Sequence, residues 1–197
     1  MFGHEAPQFE TEAYYKGEIK RVALSDYKGK WVVLFFYPGC FTFVCPTELT
    51  MLADVYPELQ KLGAEVLSMS CDSVYSSKMW HEAELVKMVP GGIPFPMLAD
   101  PGADISKAYG VFDVALRQNV RGHFIINPEG IIKGMQILPP EVGRNIDEIV
   151  REVHALKWAA DTREVLPAGW RPATPGLKPK IDLAGQVWAT WKPPRKK

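Results

Sequence analysis

Cysteine is scarce in this chain: 197 residues hold three, an odd number and too few for the disulfide framework of a small secreted domain. A reduced, cytoplasmic protein is the expectation. Charge of one sign is missing too, because 23 basic residues balance 23 acidic ones. Strong electrostatic attraction to nucleic acid or to an anionic membrane is thereby disfavoured, and neither is expected as a partner. No apolar run reaches membrane-spanning length, and the first ten residues lack a basic stretch followed by an apolar one, so no anchor and no export signal are expected. The four histidines, His4, His81, His123 and His154, are scattered, and no second close Cys/His pair completes a zinc set with Cys40 and Cys45. GxGxxG and GxxxxGK[ST] are both absent, leaving no support for a dinucleotide or NTP site. No metal and no cofactor are expected.

What is present is ordinary for a globular protein, 47% apolar and 23% charged residues, enough for one full-sized core with an appendage. Residues 1–30 read as an irregular lead-in with a short strand near Lys20 to Leu24, closed by the turn Lys28-Gly29-Lys30. Trp31 to Tyr37 is continuously apolar and rich in β-branched and aromatic residues, the pattern of a strand buried on both faces. Val44 to Leu62 shows helical spacing at Leu49, Leu52, Tyr56 and Leu59, ended by Gly63. Val66 to Met69 reads as a strand, Ser76 to Met88 as a helix and residues 89–96 as a Pro/Gly loop, which makes a βαβ pattern and an α/β fold. His123 to Asn127 and Ile131 to Ile137 flank Pro128-Glu129-Gly130 as a hairpin, and Asn145 to Trp158 forms an amphipathic helix.

Beyond Ala160 the periodicity stops, and Pro167, Pro172, Pro175, Pro179, Pro193 and Pro194 forbid a long helix. Trp158, Trp170, Trp188 and Trp191 nevertheless cluster here. The expected division is therefore a domain over 1–160 and an arm over 161–197 whose aromatics pack on their own domain or on a partner subunit, the latter being favoured. Lys192 and Arg195 to Lys197 read as a solvated end.

Cys45 is the most informative residue. It follows the buried strand and the Pro38-Gly39 turn and falls in the first turn of a helix, where unpaired backbone N–H groups and the macrodipole favour a thiolate. If that turn begins near Thr42, then Thr42, Cys45 and Glu48 point to one side, bringing a hydroxyl, a thiol and a carboxylate together. The competing interpretation is a small buried hydrophobe. Helix-start placement favours reactivity.

The pattern PxxxTxxCPTE after a buried strand resembles the active-site motif of the peroxiredoxins, in their typical two-cysteine branch. The resemblance continues at Asp72-Ser73 leading to Trp80, Arg121 to Ile126, Asn127 to Ile132, Gly143-Arg144 and Pro167 to Pro172. It implies a thioredoxin-like fold, a central mixed sheet flanked by helices, with a C-terminal arm. Cys45 would then be the peroxidatic cysteine, oxidised to a sulfenic acid by hydrogen peroxide or an organic hydroperoxide. Pro38 would shield it, Thr42 would hydrogen-bond the peroxide, Arg121 would hold sulfur and oxygens, and Glu48 would orient Arg121 and Arg144. The resemblance further implies a thioredoxin-like protein or flavoprotein reductase as external thiol or dithiol donor, and a homodimer or ring of dimers.

One departure matters. The family branch carries a resolving cysteine in a Glu-Val-Cys-Pro segment, where this chain has Glu164-Val165-Leu166-Pro167. Cys40, five residues before Cys45, and Cys71, at the end of the next strand, are the remaining resolving candidates; without either, an external thiol must reduce the sulfenate directly. Gly91-Gly92 resembles part of a motif tied to overoxidation, but its Tyr-Phe partner is missing, implying relative resistance. The rival functions are a disulfide exchanger, which would normally show CxxC rather than CxxxxC, and an oligomeric holdase chaperone, which would not require Thr42, Cys45 and Arg121 together.

Overall fold

The computed structural model describes residues 1–193, so Pro194 and Arg195 to Lys197 lie outside the described residues. The chain divides into two compact units, Met1–Asp147 and the segment from Glu148 onward, so the division falls within the last long helix.

The first unit opens with a hairpin, β1 (Glu10–Tyr15) and β2 (Glu18–Ala23), paired in register from Glu10↔Ala23 to Tyr15↔Glu18. The short strand expected near Lys20 to Leu24 is β2, while β1 lies in a stretch expected to be irregular. The two-residue turn uses Lys16 and Gly17, both at positive φ (52° and 83°), and Lys16 stands where Asn or Asp would have announced it. Next come β3 (Trp31–Phe36), with all six residues buried, α1 (Cys45–Lys61) and β4 (Ala64–Ser70), which lies parallel to β3.

The expected helix at Ser76 begins earlier, as α2 (Val74–Trp80), because the Ser73 hydroxyl accepts the Ser76 N–H at 3.2 Å and caps it. It widens into a π-turn stretch over His81–Leu85 before α3 (Val86–Met88). Four short elements escaped the sequence patterns: β5 (Met97–Ala99), α4 (Asp104–Ala108) and the paired two-residue strands β6 (Phe112–Asp113) and β7 (Gln118–Asn119). The expected hairpin is β8 (Arg121–Ile126) and β9 (Ile132–Leu138).

The seven-stranded sheet has the order β2-β1-β5-β4-β3-β8-β9, with β3, β4 and β5 parallel and the remaining pairings antiparallel. It is the mixed α/β sheet of a thioredoxin-like fold, with α1 packed on β4 and α2 on β1 and β5. One core layer gathers Leu34, Phe36, Leu67, Met69, Tyr109 and Phe124, whose aromatic rings meet at centroid distances of 5.0 to 5.9 Å. Each such fully buried side chain contributes about 1.5–3 kcal/mol.

The second unit takes most of α5 (Ile146–Thr162), where Ile149, Val150 and Val153 are buried along one stripe. Val165 and Leu177 then exchange backbone hydrogen bonds of 2.9 and 2.8 Å. Trp170 is buried against Trp158 (6.1 Å between centroids) and donates its Nε1–H to the Thr174 carbonyl at 2.9 Å. Part of the aromatic content therefore packs within its own unit. The short helix α6 (Val187–Thr190) leaves Trp188 71% exposed. Among the described residues no helix is long and apolar enough to cross a membrane.

Candidate active site

Three segments converge at the C-terminal end of β3. The Tyr37–Val44 connection leads into α1, antiparallel pairing brings the start of β8 alongside the end of β3, and the chain between β9 and α5 returns to the same place. Cys45 is the first residue of α1, Glu48 sits one turn on, Arg121 opens β8 and Arg144 lies two residues before α5.

Glu48 is the hub. Its Oε2 accepts from Arg121 Nη1 at 2.7 Å and from Arg144 Nη2 at 2.8 Å, while Oε1 accepts from Arg144 Nε at 2.9 Å and from the Arg144 backbone N–H at 2.7 Å. All three residues are buried. Burial opposes ionisation of the Glu48 carboxyl, but the hydrogen bonds and charge of Arg144, with the charge of Arg121, outweigh it and hold the group below the usual carboxylate range. Arg121 Nη1 also donates toward Cys45 Sγ at 3.5 Å, and Cys45 is wholly buried. This network sets two guanidinium charges against one carboxylate. Buried charge is costly unless paired, so the arrangement can accommodate a further negative centre beside Arg121.

The remaining guanidinium donors are fixed as well. Arg121 Nε donates to the Pro140 carbonyl at 2.7 Å, Arg144 Nη1 to the Gly122 carbonyl at 2.7 Å, and the Arg144 guanidinium stacks 3.3 Å from the Phe35 ring centroid. None of these partners was singled out from the sequence. A carbonyl acceptor has no residue-type signature, although Phe35 is on the apolar strand already identified.

Thr42 requires a correction. It does not share a helical face with Cys45 and Glu48, because α1 starts at Cys45 and Thr42 lies outside it. A helix starting at Thr42 would need the N–H of residue 46 to bond the Thr42 carbonyl, and residue 46 is proline. The Thr42 hydroxyl instead donates to the Gly39 carbonyl at 2.9 Å. Pro38 is buried in the same connection.

The other two cysteines are held apart from this centre by their own contacts. Cys40 Sγ lies 3.9 Å from Ser77 Oγ, and its backbone N–H donates to Asp72 Oδ2 at 2.7 Å. Burial, then the Asp72 charge, pushes the Cys40 thiol well up. Cys71 Sγ donates to Asn119 Oδ1 at 3.3 Å, and burial pushes that thiol up to about 11. All three cysteines are free. Among the described residues no group of three or more His, Cys, Asp or Glu side chains is placed to hold a metal.

A thioredoxin-like sheet that delivers a cysteine at a helix start, against a buried arginine held by a carboxylate, defines a thiol-based redox enzyme. The AhpC/TSA family model matches residues 2–135. The chain belongs to that family of peroxiredoxins and is a thiol-dependent peroxidase that works through a peroxidatic cysteine. A selenocysteine-containing peroxiredoxin, PrxU, from Peptoclostridium acidaminophilum is 51% identical over 191 residues, spanning 96% of this chain and 94% of that protein. Peroxiredoxin-2 of Mus musculus is 40% identical over 182 residues, 92% of each chain. Among solved structures, the reduced 2-Cys peroxiredoxin of Plasmodium vivax aligns with a TM-score of 0.89 at 32% identity, covering 95% of this chain and 98% of that one. Enterococcus faecalis AhpC aligns with a TM-score of 0.80 at 40% identity, covering 84% and 98%.

Proposed function

We propose that Cys45 is the peroxidatic residue and that Arg121 is the group that makes it a peroxidase. The observation that carries this reading is the single nitrogen, Arg121 Nη1, placed 2.7 Å from Glu48 Oε2 and 3.5 Å from Cys45 Sγ. As the Cys45 thiolate attacks one oxygen of a hydroperoxide, the O–O bond breaks. Sulfur is oxidised to a sulfenic acid, and the other oxygen leaves as an alkoxide or hydroxide that takes up a proton. A fixed, permanently charged donor at that point stabilises the transition state more than the ground state.

Glu48 and Arg144 serve as positioning residues, since each Glu48 oxygen is held by arginine donors and Arg121 has little freedom to turn. Pro38 shields the sulfur. The Thr42 hydroxyl proton is committed to Gly39, so its part is to accept a hydrogen bond from the peroxide O–H. Because Cys45 is out of contact with solvent, access needs displacement of the groups over it.

Leu166 replaces the C-terminal resolving cysteine of the typical two-cysteine branch, so the sulfenic acid returns to thiol by another thiol. A thioredoxin-like protein or flavoprotein reductase in a reducing, cytoplasmic setting supplies the electrons in the end. A homodimer, and a ring of such dimers, is the assembly we assign. Its support is the exposed Ile181 and Trp188 in the C-terminal unit and the outer strand β9, with Met135 and Ile137 exposed.

Peroxide consumption with a generic dithiol tests the reading, run beside a client-aggregation assay on wild type and Cys45→Ser. Loss of consumption with aggregation protection unchanged is the expected result. Full consumption by Cys45→Ser would overturn it.

A further inference from the structure

Cys40 sits in a polar chamber that the peroxidatic chemistry does not use. Tyr37 just after β3, Asp72 after β4 and Ser77 on α2 lie beside its sulfur, with Ser77 Oγ at 3.9 Å. The Tyr37 hydroxyl is fully buried and has no hydrogen-bond partner in this state, yet it lies close enough to Cys40 to favour a charged sulfur there. A buried hydroxyl left unsatisfied is costly; the Ser70 hydroxyl and the Cys40 sulfur are the polar groups beside it, and the sulfur becomes the stronger acceptor once it carries charge.

Asp72 opposes this. Its Oδ2 accepts from the Cys40 N–H at 2.7 Å and from Ser70 Oγ at 2.9 Å. Gly39 permits that approach, since a Cβ there would stand 3.2 Å from the same oxygen. The next residue, Phe41, is held at φ +54°, a left-handed conformation that a bulky side chain adopts only under constraint. The loop leading into Cys45 is thus strained and pinned, with its own thiol set beside a carboxylate.

We propose that Cys40 is the thiol that first meets the Cys45 sulfenic acid, and that Asp72 restrains it by holding the Cys40 amide and placing a negative charge against its sulfur. This inference rests on the peroxidatic role of Cys45 given above. In the state described the two sulfurs face different groups, Ser77 and Arg121. Release of the Cys40 N–H lets Phe41 relax and frees residues 39–44 to bring them together. Cys40 loses its proton, its sulfur attacks the Cys45 sulfur, the S–O bond breaks, and hydroxide leaves as water after taking up a proton. Cys40 is oxidised, the Cys45 sulfenate is reduced, and the resulting Cys40–Cys45 disulfide is opened by the external dithiol. The charged and titratable groups facing Cys40 are Asp72 and Tyr37, with Cys45 further along the same segment.

The experiment treats full-length protein with one equivalent of hydrogen peroxide over a pH series. It follows sulfenic acid by dimedone trapping and the bridge by non-reducing peptide mapping. Wild type and Cys71→Ser should form a Cys40–Cys45 bridge, and Cys40→Ser should accumulate dimedone adduct on Cys45. Asp72→Asn keeps an oxygen for the Cys40 N–H but removes the charge, so its bridging profile should move to lower pH by about one unit, with bridging about tenfold faster below the midpoint. Tyr37→Phe, a substitution that leaves the packing in place, should move the profile to higher pH. A long-lived Cys45 sulfenate in wild type, matching Cys40→Ser, would overturn the inference while leaving Cys45 peroxidatic. A Cys45 that remains a thiol would overturn both, and unchanged profiles in Asp72→Asn and Tyr37→Phe would overturn the role of Asp72.

Discussion

Arg121 presents one nitrogen, Nη1, to two acceptors: the Glu48 carboxylate at 2.7 Å and the Cys45 sulfur at 3.5 Å. The short contact fixes the guanidinium, and the longer one is the contact through which we propose that Arg121 acts. Because that nitrogen already satisfies Glu48, its position is set before any peroxide arrives. Donors fixed in advance avoid the reorganisation that water would need around a developing oxyanion.

Replacing Arg121 by alanine should therefore cut peroxide reactivity by about a hundredfold to a thousandfold, the usual loss when one such donor is removed. Stopped-flow oxidation of Cys45, compared with its alkylation by iodoacetamide in the same variant, separates transition-state stabilisation from thiolate supply. Peroxide rates that follow the alkylation rates would remove Arg121 from the chemistry.

Glu48→Gln tests the hub. Breaking a buried ion pair by removing one partner typically costs about 3–5 kcal/mol, and here two guanidinium charges lose their shared carboxylate. The pH dependence has a definite sign. Because the folded-state value of Glu48 is depressed, its contribution is fully present above the unfolded value of about 4.3 and is lost as pH falls through the folded value. Urea unfolding from pH 7 down to pH 3 should show the gap between wild type and variant shrinking only below about pH 4.3. A gap that closes nearer neutrality would mean another group carries the stability.

The parts of this molecule legible from its sequence are those written in side-chain pattern. The continuous apolar run of β3, the helical spacing of α1 and the helix-start position of Cys45 all appear in the structure where the spacing put them. What the spacing missed was set by backbone geometry. The β1–β2 turn is made by Lys16 at positive φ, which has no turn-residue signature, and β5 is only three residues long. The site divides along the same line. Arg121, Arg144 and Glu48 could be named from a motif, but only the three-dimensional arrangement showed the Pro140 and Gly122 carbonyls fixing the arginines. It also showed that Pro46 removes Thr42 from the helix and that Asp72 pins the Cys40 amide.

Cys71 should behave as an inert thiol. With its value pushed up to about 11, first by burial, only about one molecule in a thousand carries the thiolate at pH 8. Mass-mapped labelling of folded Cys45→Ser by iodoacetamide should leave Cys71 almost untouched at pH 8 and accelerate about a hundredfold by pH 10. A plateau reached below pH 9 would show that burial does not control this sulfur.

Gly91 and Gly92 offer a paired test of the loop that follows α3, because both have positive φ (83° and 74°) but different surroundings. A Cβ on Gly91 meets nothing within 4 Å, so Gly91→Ala should lose only the backbone preference, about 1–2 kcal/mol. A Cβ on Gly92 would stand 2.2 Å from His81 Nε2 and 3.1 Å from Val86 Cγ1. Both atoms belong to side chains, but His81 is not free to swing away, since Nε2 accepts the Ile93 N–H at 3.0 Å and the ring packs on Tyr14 at 5.2 Å. Gly92→Ala should therefore add the cost of overpacking, about 1–3 kcal/mol, to the same backbone loss. Urea unfolding of the two variants measures the difference directly, and equal destabilisation would show that His81 yields and does not anchor this loop.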